Sequence, residues 1–275
     1  MATVVELDPT GNSAAPGAEG RLAAIVDRWI WVFTALLLIA TVLAGFVPDS
    51  LHKVALVEAG QRAPFPAILH IHAALMGAWL ALLLAQTTLM ATGRRQGHMQ
   101  LGVAAAVLAP AIVISGLILA PTIYRGAWAG AHAAHPELAA NAVPDQLRFL
   151  GNIALEQIRA LVLFPALVVL GMRARRRDPG LHKRLMMLAT IAPMGAAIVR
   201  IDWLPSAMPG NPIGMDLFPA VLLAPLFFWD LYRLRTVHRA YWIWLALMLP
   251  LLLASQALWG SAWWQATAPR LMGVI

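Results

Sequence analysis

Gly93-Arg94-Arg95-Gln96-Gly97-His98-Met99-Gln100-Leu101 is a short basic link between two long apolar runs, and the predicted fold is built around it. A related link, Arg176-Arg177-Asp178-Pro179-Gly180-Leu181-His182-Lys183-Arg184-Leu185, also lies between two apolar runs. His98 and His182 align at an offset of 84 positions, and in each link an arginine pair precedes the histidine. We interpret the two links as the turns of one helical hairpin that the chain uses twice in the same orientation.

The composition is that of a membrane protein. Of 275 residues, 60% are hydrophobic and only 12% are charged, whereas soluble chains carry about 25% charged residues. Several apolar runs are close to the roughly 20 residues that a helix needs to cross a bilayer. The chain has no cysteine, which excludes disulfides, thiolate metal sites and cysteine nucleophiles.

The hydropathy pattern predicts an all-α integral membrane protein with seven transmembrane helices. Residues 1–20, rich in Ala, Gly, Pro and Ser, are expected to be a disordered cytoplasmic tail before a seven-span domain of residues 21–275. Spans two to five are expected to form a four-helix core from the repeated hairpin, residues 65–123 and 149–202. The predicted spans are residues 29–47, 65–92, 101–123, 149–172, 181–201, 213–229 and 241–259.

The distribution of lysine and arginine predicts the orientation. Seven spans place thirteen basic residues on the side of the N-terminus and five on the other side, with Arg159 and Arg200 at membrane depth. Because basic loops stay in the cytoplasm, the N-terminus is expected to be cytoplasmic and the C-terminus periplasmic. The membrane is expected to be a bacterial inner (plasma) membrane. The net charge of +7 then reflects topology, so the predicted partner is the lipid bilayer and not nucleic acid.

Two histidines are candidate ligands on the inner side. His98 and His182 stand at equivalent places in the two hairpins, where two imidazoles on neighbouring helices can ligate a metal ion or a haem iron. The alternative is that each is simply a polar residue at a helix start, beside arginines that face lipid headgroups. On the outer side, His70 and His72 are only two residues apart, so a helix points them in nearly opposite directions. They are candidate cofactor contacts or ordinary interfacial residues.

Charged residues within the apolar runs form a second candidate site. Glu156 and Arg159 lie three residues apart in the fourth span, and each would cost roughly 2.5–3.5 kcal/mol near the bilayer centre. Arg200, Asp202 and Asp216 are expected at the same level of the membrane. The pattern predicts a polar cavity open to the outer side, formed by Glu156, Arg159, Asp202 and Asp216. A structural network of ion pairs is the alternative.

The two links also carry a resemblance. The chain resembles a set of bacterial predicted membrane proteins of unknown function with a Gly-Arg-Arg-x-x-His-x-x-Leu-Gly-like turn and a His-Lys-Arg-Leu-Met-x-Leu-Ala-Thr-like turn, here Gly93–Gly102 and His182–Thr190. More distantly, it is similar to the transmembrane di-haem cytochromes b. That likeness implies that His98 and His182 hold an inner haem b. For an outer haem the fourth span would need a histidine, and it has Glu156 and Arg159 instead.

The sequence is therefore consistent with three functions. The leading hypothesis is a membrane protein that binds haem b and serves electron transfer or respiratory-complex assembly, with Arg159 and Arg200 as charge partners of the cofactor. The second is a small-molecule or proton-coupled transporter that uses the outer polar cavity. The third is an accessory subunit of a larger membrane complex, without chemistry of its own. The sequence predicts no catalytic residue.

Overall fold

The computed structural model describes residues 18–134 and 143–275. These residues form helices and no strand, which confirms the predicted all-α class. Six segments of these residues are long and apolar enough to cross a membrane, as a multi-pass membrane protein requires: Glu19–Glu58, Ala67–Ala91, Arg95–Ala134, Asp145–Ala174, Ile213–Leu234 and Arg239–Leu258. Residues 1–17 of the expected tail lie outside the described residues. The helices are α1 (Ala18–Glu58), α2 (Ala67–Ala91), α3 (Arg95–Leu101), α4 (Val103–Ala134), α5 (Asp145–Ala174), α6 (Pro179–Ile191), α7 (Gly195–Ile198), α8 (Ile213–Leu234), α9 (Arg239–Leu258) and α10 (Ala262–Leu271).

Helix α1 is much longer than the predicted first span. Its 41 residues extend roughly 60 Å at 1.5 Å per residue, about twice the thickness of the hydrocarbon core of a bilayer. The helix continues through Pro48, beyond the predicted end of the span at residue 47, although a proline inside a helix removes a backbone hydrogen bond and its ring crowds the carbonyl four residues earlier. The turns after it are held by Asp49, which pairs with Lys53 at 2.6 Å and with Arg200 at 3.2 Å.

Helix α4 likewise continues past the predicted end of the third span. It passes through Pro121 and runs to Ala134, so the expected loop after Ile123 is helical as far as it is described. Tyr124 lies in a buried cluster with side chains of α5 and α10, against which Trp128 also packs. This packing stabilises the additional turns.

The predicted fifth span is not a continuous helix. Helix α6 ends at Ile191, the chain turns over residues 192–194, and α7 has only four residues. Pro193 lies in the turn, where it has no backbone N–H to donate and its ring would clash with the carbonyl four residues earlier. The described residues therefore contain six segments of membrane-spanning length, and the predicted fifth span is a broken segment apart from them.

The buried core is wider than the expected four-helix unit. Trp79 of α2 donates a hydrogen bond to Thr190 of α6 at 3.0 Å and packs edge-on against Phe164 of α5, with ring centroids 5.0 Å apart. Buried side chains of α1, α8 and α9, including Leu38 and Leu226, belong to the same cluster. The core is thus not confined to predicted spans two to five.

Helix α8 links the two ends of the bundle. Asp216 and Asp230 lie 14 residues apart on it, close to four full turns, so both face the same side roughly 21 Å apart. Asp216 pairs with Arg159 of α5, and Asp230 pairs with Arg184 of α6. We name the two ends of the bundle after these residues, the Asp216 end and the Asp230 end.

Candidate functional site

The candidate site is a cluster of three charged side chains at the Asp216 end, which we call the acid cluster: Glu156, Arg159 and Asp216. Glu156 and Arg159 face the same side of α5 because three residues are close to one helical turn, and Arg159 pairs with both carboxylates. Glu156 is 6% exposed and Arg159 is 5% exposed. The structure thus brings together three of the four residues predicted to form a polar cavity.

The charges in the acid cluster do not balance. Two carboxyl groups share one guanidinium, and α9 contributes only neutral groups. Gln256 donates a hydrogen bond to Asp216 at 3.3 Å, and the buried Ser255 lies beside Glu156. A charge enclosed by protein at membrane depth is costly unless it is compensated. The arrangement therefore favours a cluster that holds one proton, or one cation, in addition to Arg159.

The acid cluster is enclosed, whereas the sequence led us to expect a cavity open to the outer side. Helix α10 covers the first turns of α5. Gln265 donates a hydrogen bond to Asn152 at 2.7 Å, and the buried Trp264 donates one to the carbonyl of Gly151 at 2.8 Å. Asn152 precedes Glu156 by one helical turn, so α10 closes the Asp216 end above the acid cluster.

Two further residues expected at this site lie elsewhere. Asp202 is exposed on the turn that follows α7. Arg200 pairs with Asp49 of α1 and lies over the ring of Phe46, at 4.5 Å from the ring centroid. Neither residue contacts the acid cluster, because after the break at Pro193 Arg200 packs against α1 and Asp202 is exposed.

The histidines of α2 point away from each other, as their spacing predicted. His70 is exposed and meets the ring of Phe65 edge-on at 6.1 Å between centroids. His72 faces α4, where its Nδ1 is hydrogen-bonded to the hydroxyl of Ser115 at 2.9 Å. They are not placed to bind one cofactor together.

His98 and His182 do come together, at the Asp230 end. Each is the fourth residue of its helix, α3 or α6, and their ring centroids are 6.4 Å apart with an interplanar angle of 76°. The Nδ1 of His182 is hydrogen-bonded to the carbonyl of Gly171 at 2.8 Å, while the Nδ1 of His98 is buried and has no hydrogen-bond partner within residues 18–134 and 143–275. Among the residues described, no group of three or more His, Asp or Glu side chains forms a metal site.

Sequence reasoning missed the ion pair between Arg184 and Asp230. Arg184 donates to Asp230 from both Nε (2.7 Å) and Nη2 (2.5 Å), and Tyr241 donates from its hydroxyl at 2.6 Å. Arg184 is 6% exposed and Asp230 is 5% exposed. From sequence, Asp230 resembled an ordinary boundary residue at the end of a span, and Arg184 was counted only among the basic residues of the inner side. The 14-residue spacing of Asp216 and Asp230 on α8 was the available signal, since it places both on one face.

The polar link before α6 supports this end of the bundle. Asp178 caps α6 by accepting a hydrogen bond from the backbone N–H of Leu181 at 2.8 Å, and it pairs with Arg239 at the start of α9. The hydrogen bond from Leu181 holds the pKa of Asp178 below its ordinary value, with Arg239 acting in the same direction.

No protein-family model, no curated protein and no solved structure matches this chain. Its function is therefore argued from the geometry of its own residues.

Proposed function

We propose that this chain is a proton-coupled transporter of a bacterial inner membrane, with the acid cluster as its proton-binding site. The proposal rests on the excess carboxyl group, because among the described residues Glu156 and Asp216 share one cationic partner, Arg159, inside the bundle. Ionisable residues enclosed at membrane depth commonly mark proton and substrate pathways. One proton shared by the two carboxyl groups makes the cluster neutral overall, and its release leaves one negative charge.

The broken segment α6–α7 supports the same proposal. Transporters commonly build their binding sites beside discontinuous helices, and irregular backbone at membrane depth is tolerated where protein encloses it or a cavity borders it. Here α7 packs directly on α8 beside the acid cluster, since a side chain added at Gly195 would lie 3.0 Å from the carbonyl oxygen of Met215. Movement of α7 would therefore act on the helix turn that carries Asp216.

The same segment is the seventh crossing in the proposed topology. Arg184 of α6 lies at the Asp230 end, while Gly195 of α7 adjoins Met215 at the Asp216 end. A segment that runs from the Asp230 end to the Asp216 end crosses the same thickness of membrane as α8. With seven crossings, the excess of lysine and arginine at the Asp230 end favours a cytoplasmic N-terminus and a periplasmic C-terminus.

The proposal is tested by proton flux in proteoliposomes. Purified protein would be reconstituted with an internal pH-sensitive dye, and internal pH would be followed under an imposed membrane potential during addition of a panel of organic acids, amines and sugars. We expect proton flux that depends on one class of solute and is lost in Glu156→Gln. The matched control is Asp202→Asn, which removes an exposed carboxylate at the same end of the molecule and should transport normally.

Two results would contradict this function. One is wild-type protein that moves no protons with any solute. The other is Glu156→Gln protein that is correctly folded and as active as the Asp202→Asn control.

The His98–His182 pair favours a second function, haem b binding for electron transfer. The two imidazole rings lie close to each other on neighbouring helices, with centroids 6.4 Å apart, and paired imidazoles are common axial ligands of a haem iron. The hydrogen bond from Nδ1 of His182 to the Gly171 carbonyl is the kind of outer contact that orients a ligating imidazole. His98 and His182 would hold the iron, and the haem would supply one-electron chemistry.

The visible spectrum tests this second function. Protein purified from haem-sufficient cells, oxidised and then reduced with dithionite, should show a haem b band that is absent in His98→Ala and in His182→Ala. His70→Ala serves as the control, because His70 is exposed and makes no contact with the pair. A colourless wild-type protein would eliminate haem binding and leave the transporter proposal untouched.

A further inference from the structure

The lipid-facing surface carries a deep groove between α4 and α5. Its volume is about 830 Å³, and its walls are apolar over most of their length. On α4 the wall runs from Ala105 to Ile114, which corresponds to roughly 14 Å along the helix axis. That is about half of a hydrocarbon core of roughly 30 Å. The groove is therefore as deep as one leaflet of the bilayer.

The sequence explains why the two helices leave a gap here. Each carries a proline in the wall, Pro110 on α4 and Pro165 on α5, and a proline inside a helix bends it. Beyond the closed end of the groove the helices touch, since a side chain at Gly116 would lie 3.4 Å from Leu161. Ala105, Ala106 and Ala109 widen the opening, because their side chains are too short to fill the space between the two helices.

The open end of the groove is strongly basic. Arg173, Arg175, Arg176 and Arg177 border it, and all four are exposed. None has a carboxylate within ion-pair distance among residues 18–134 and 143–275. The planar guanidinium group of arginine matches phosphate oxygens in charge and shape. Basic pockets between membrane helices bind acidic lipid headgroups.

We propose that this groove binds one anionic phospholipid. Its phosphate lies among the four arginines, and an acyl chain fills the apolar channel between Pro110 and Pro165. The length of the apolar channel, the depth of the groove and the positive charge at its open end all fit an anionic phospholipid. A free anion would leave the channel unfilled, and a zwitterionic lipid would carry a cationic group toward the arginines. The inference does not depend on the acid cluster, which lies toward the other end of α5.

The test compares lipids on purified full-length protein. Protein stripped of lipid in a neutral detergent is titrated with phosphatidylglycerol or with phosphatidylethanolamine of the same acyl chains, and bound lipid is counted by native mass spectrometry. We expect phosphatidylglycerol to bind more tightly. Arg175→Gln with Arg176→Gln should weaken that binding about 30-fold, because each arginine near an acidic headgroup contributes a factor of about five.

Two further variants separate a built site from general surface charge. Arg21→Gln with Arg235→Gln removes two exposed arginines of the same end that do not border the groove, and it should leave binding unchanged. Ala106→Trp blocks the channel and keeps all four arginines, and it should abolish tight binding. Equal binding of the two lipids, equal loss in both arginine pairs, or full binding in Ala106→Trp would each overturn the proposal.

Discussion

Two aspartates on one face of α8 provide a matched pair of substitutions. Asp230→Asn removes the only carboxylate that pairs with Arg184 among the described residues, so a buried guanidinium loses its counter-charge. Breaking a buried pair in this way costs about 3–5 kcal/mol. Asp216→Asn is different, because Arg159 keeps Glu156 as its partner and the cluster becomes charge-balanced without a proton. We expect a cost of about 1 kcal/mol, that of one altered hydrogen bond.

The assay is thermal unfolding in detergent, followed by tryptophan fluorescence at one fixed scan rate because such transitions are often irreversible. A change of 1 kcal/mol lowers Tm by about 2–4 °C in a chain of this size. Asp230→Asn should therefore lower Tm by roughly 6–20 °C, and Asp216→Asn by less than about 4 °C. If Asp216→Asn costs as much as Asp230→Asn, the acid cluster is a fully ionised structural network, and the reasoning about its extra proton is wrong.

The remaining predictions concern packing and capping. Gly45→Ala should destabilise the protein by about 1–3 kcal/mol, because the added methyl would overlap the carbonyl oxygen of Ala197. The control Gly77→Ala has open space around it and should be neutral or stabilising by up to about 1 kcal/mol; equal Tm values for the two variants would refute the α1–α7 contact. Asp178→Ala should cost about 1 kcal/mol as a lost helix cap, measured as a Tm difference at neutral pH. Since the pKa of Asp178 is lowered by folding, its stabilisation is complete above about pH 4, the ordinary aspartate pKa, and is lost as pH falls through the lowered value. A Tm difference that persists unchanged well below that pH would refute this role.

Hydropathy predicted the presence of the membrane helices more reliably than it predicted the residues at which they end. Helix α8 begins at Ile213 as predicted, and α2, α5 and α9 agree with their predicted spans to within a few residues. Three of the errors involve proline. Pro48 and Pro121 were tolerated within helices, whereas Pro193 broke one. Whether a proline breaks a helix depends on the tertiary contacts of the turns around it, and those contacts are not visible in hydropathy.

The candidate site was predictable in part for a physical reason. Glu156 and Arg159 could be identified because a charged side chain within an apolar run is costly in a membrane and faces the interior of the bundle. Asp216 was assigned to the same level of the membrane. Asp202 was assigned to that level as well, yet it lies exposed beyond α7. Depth alone does not say which side of a helix a residue faces. The enclosure of the cluster by α10 depends on contacts across more than a hundred residues, such as that between Asn152 and Gln265.

The infrared spectrum of the protein in lipid at neutral pH reports directly whether the acid cluster holds a shared proton. We expect a carbonyl band from one protonated carboxyl group in the wild type. The band should disappear in Glu156→Gln and equally in Asp216→Asn, because either change leaves one carboxylate paired with Arg159. It should remain in Asp202→Asn. A wild-type protein without the band, or a band that survives in either cluster variant, would show that the acid cluster does not hold the shared proton.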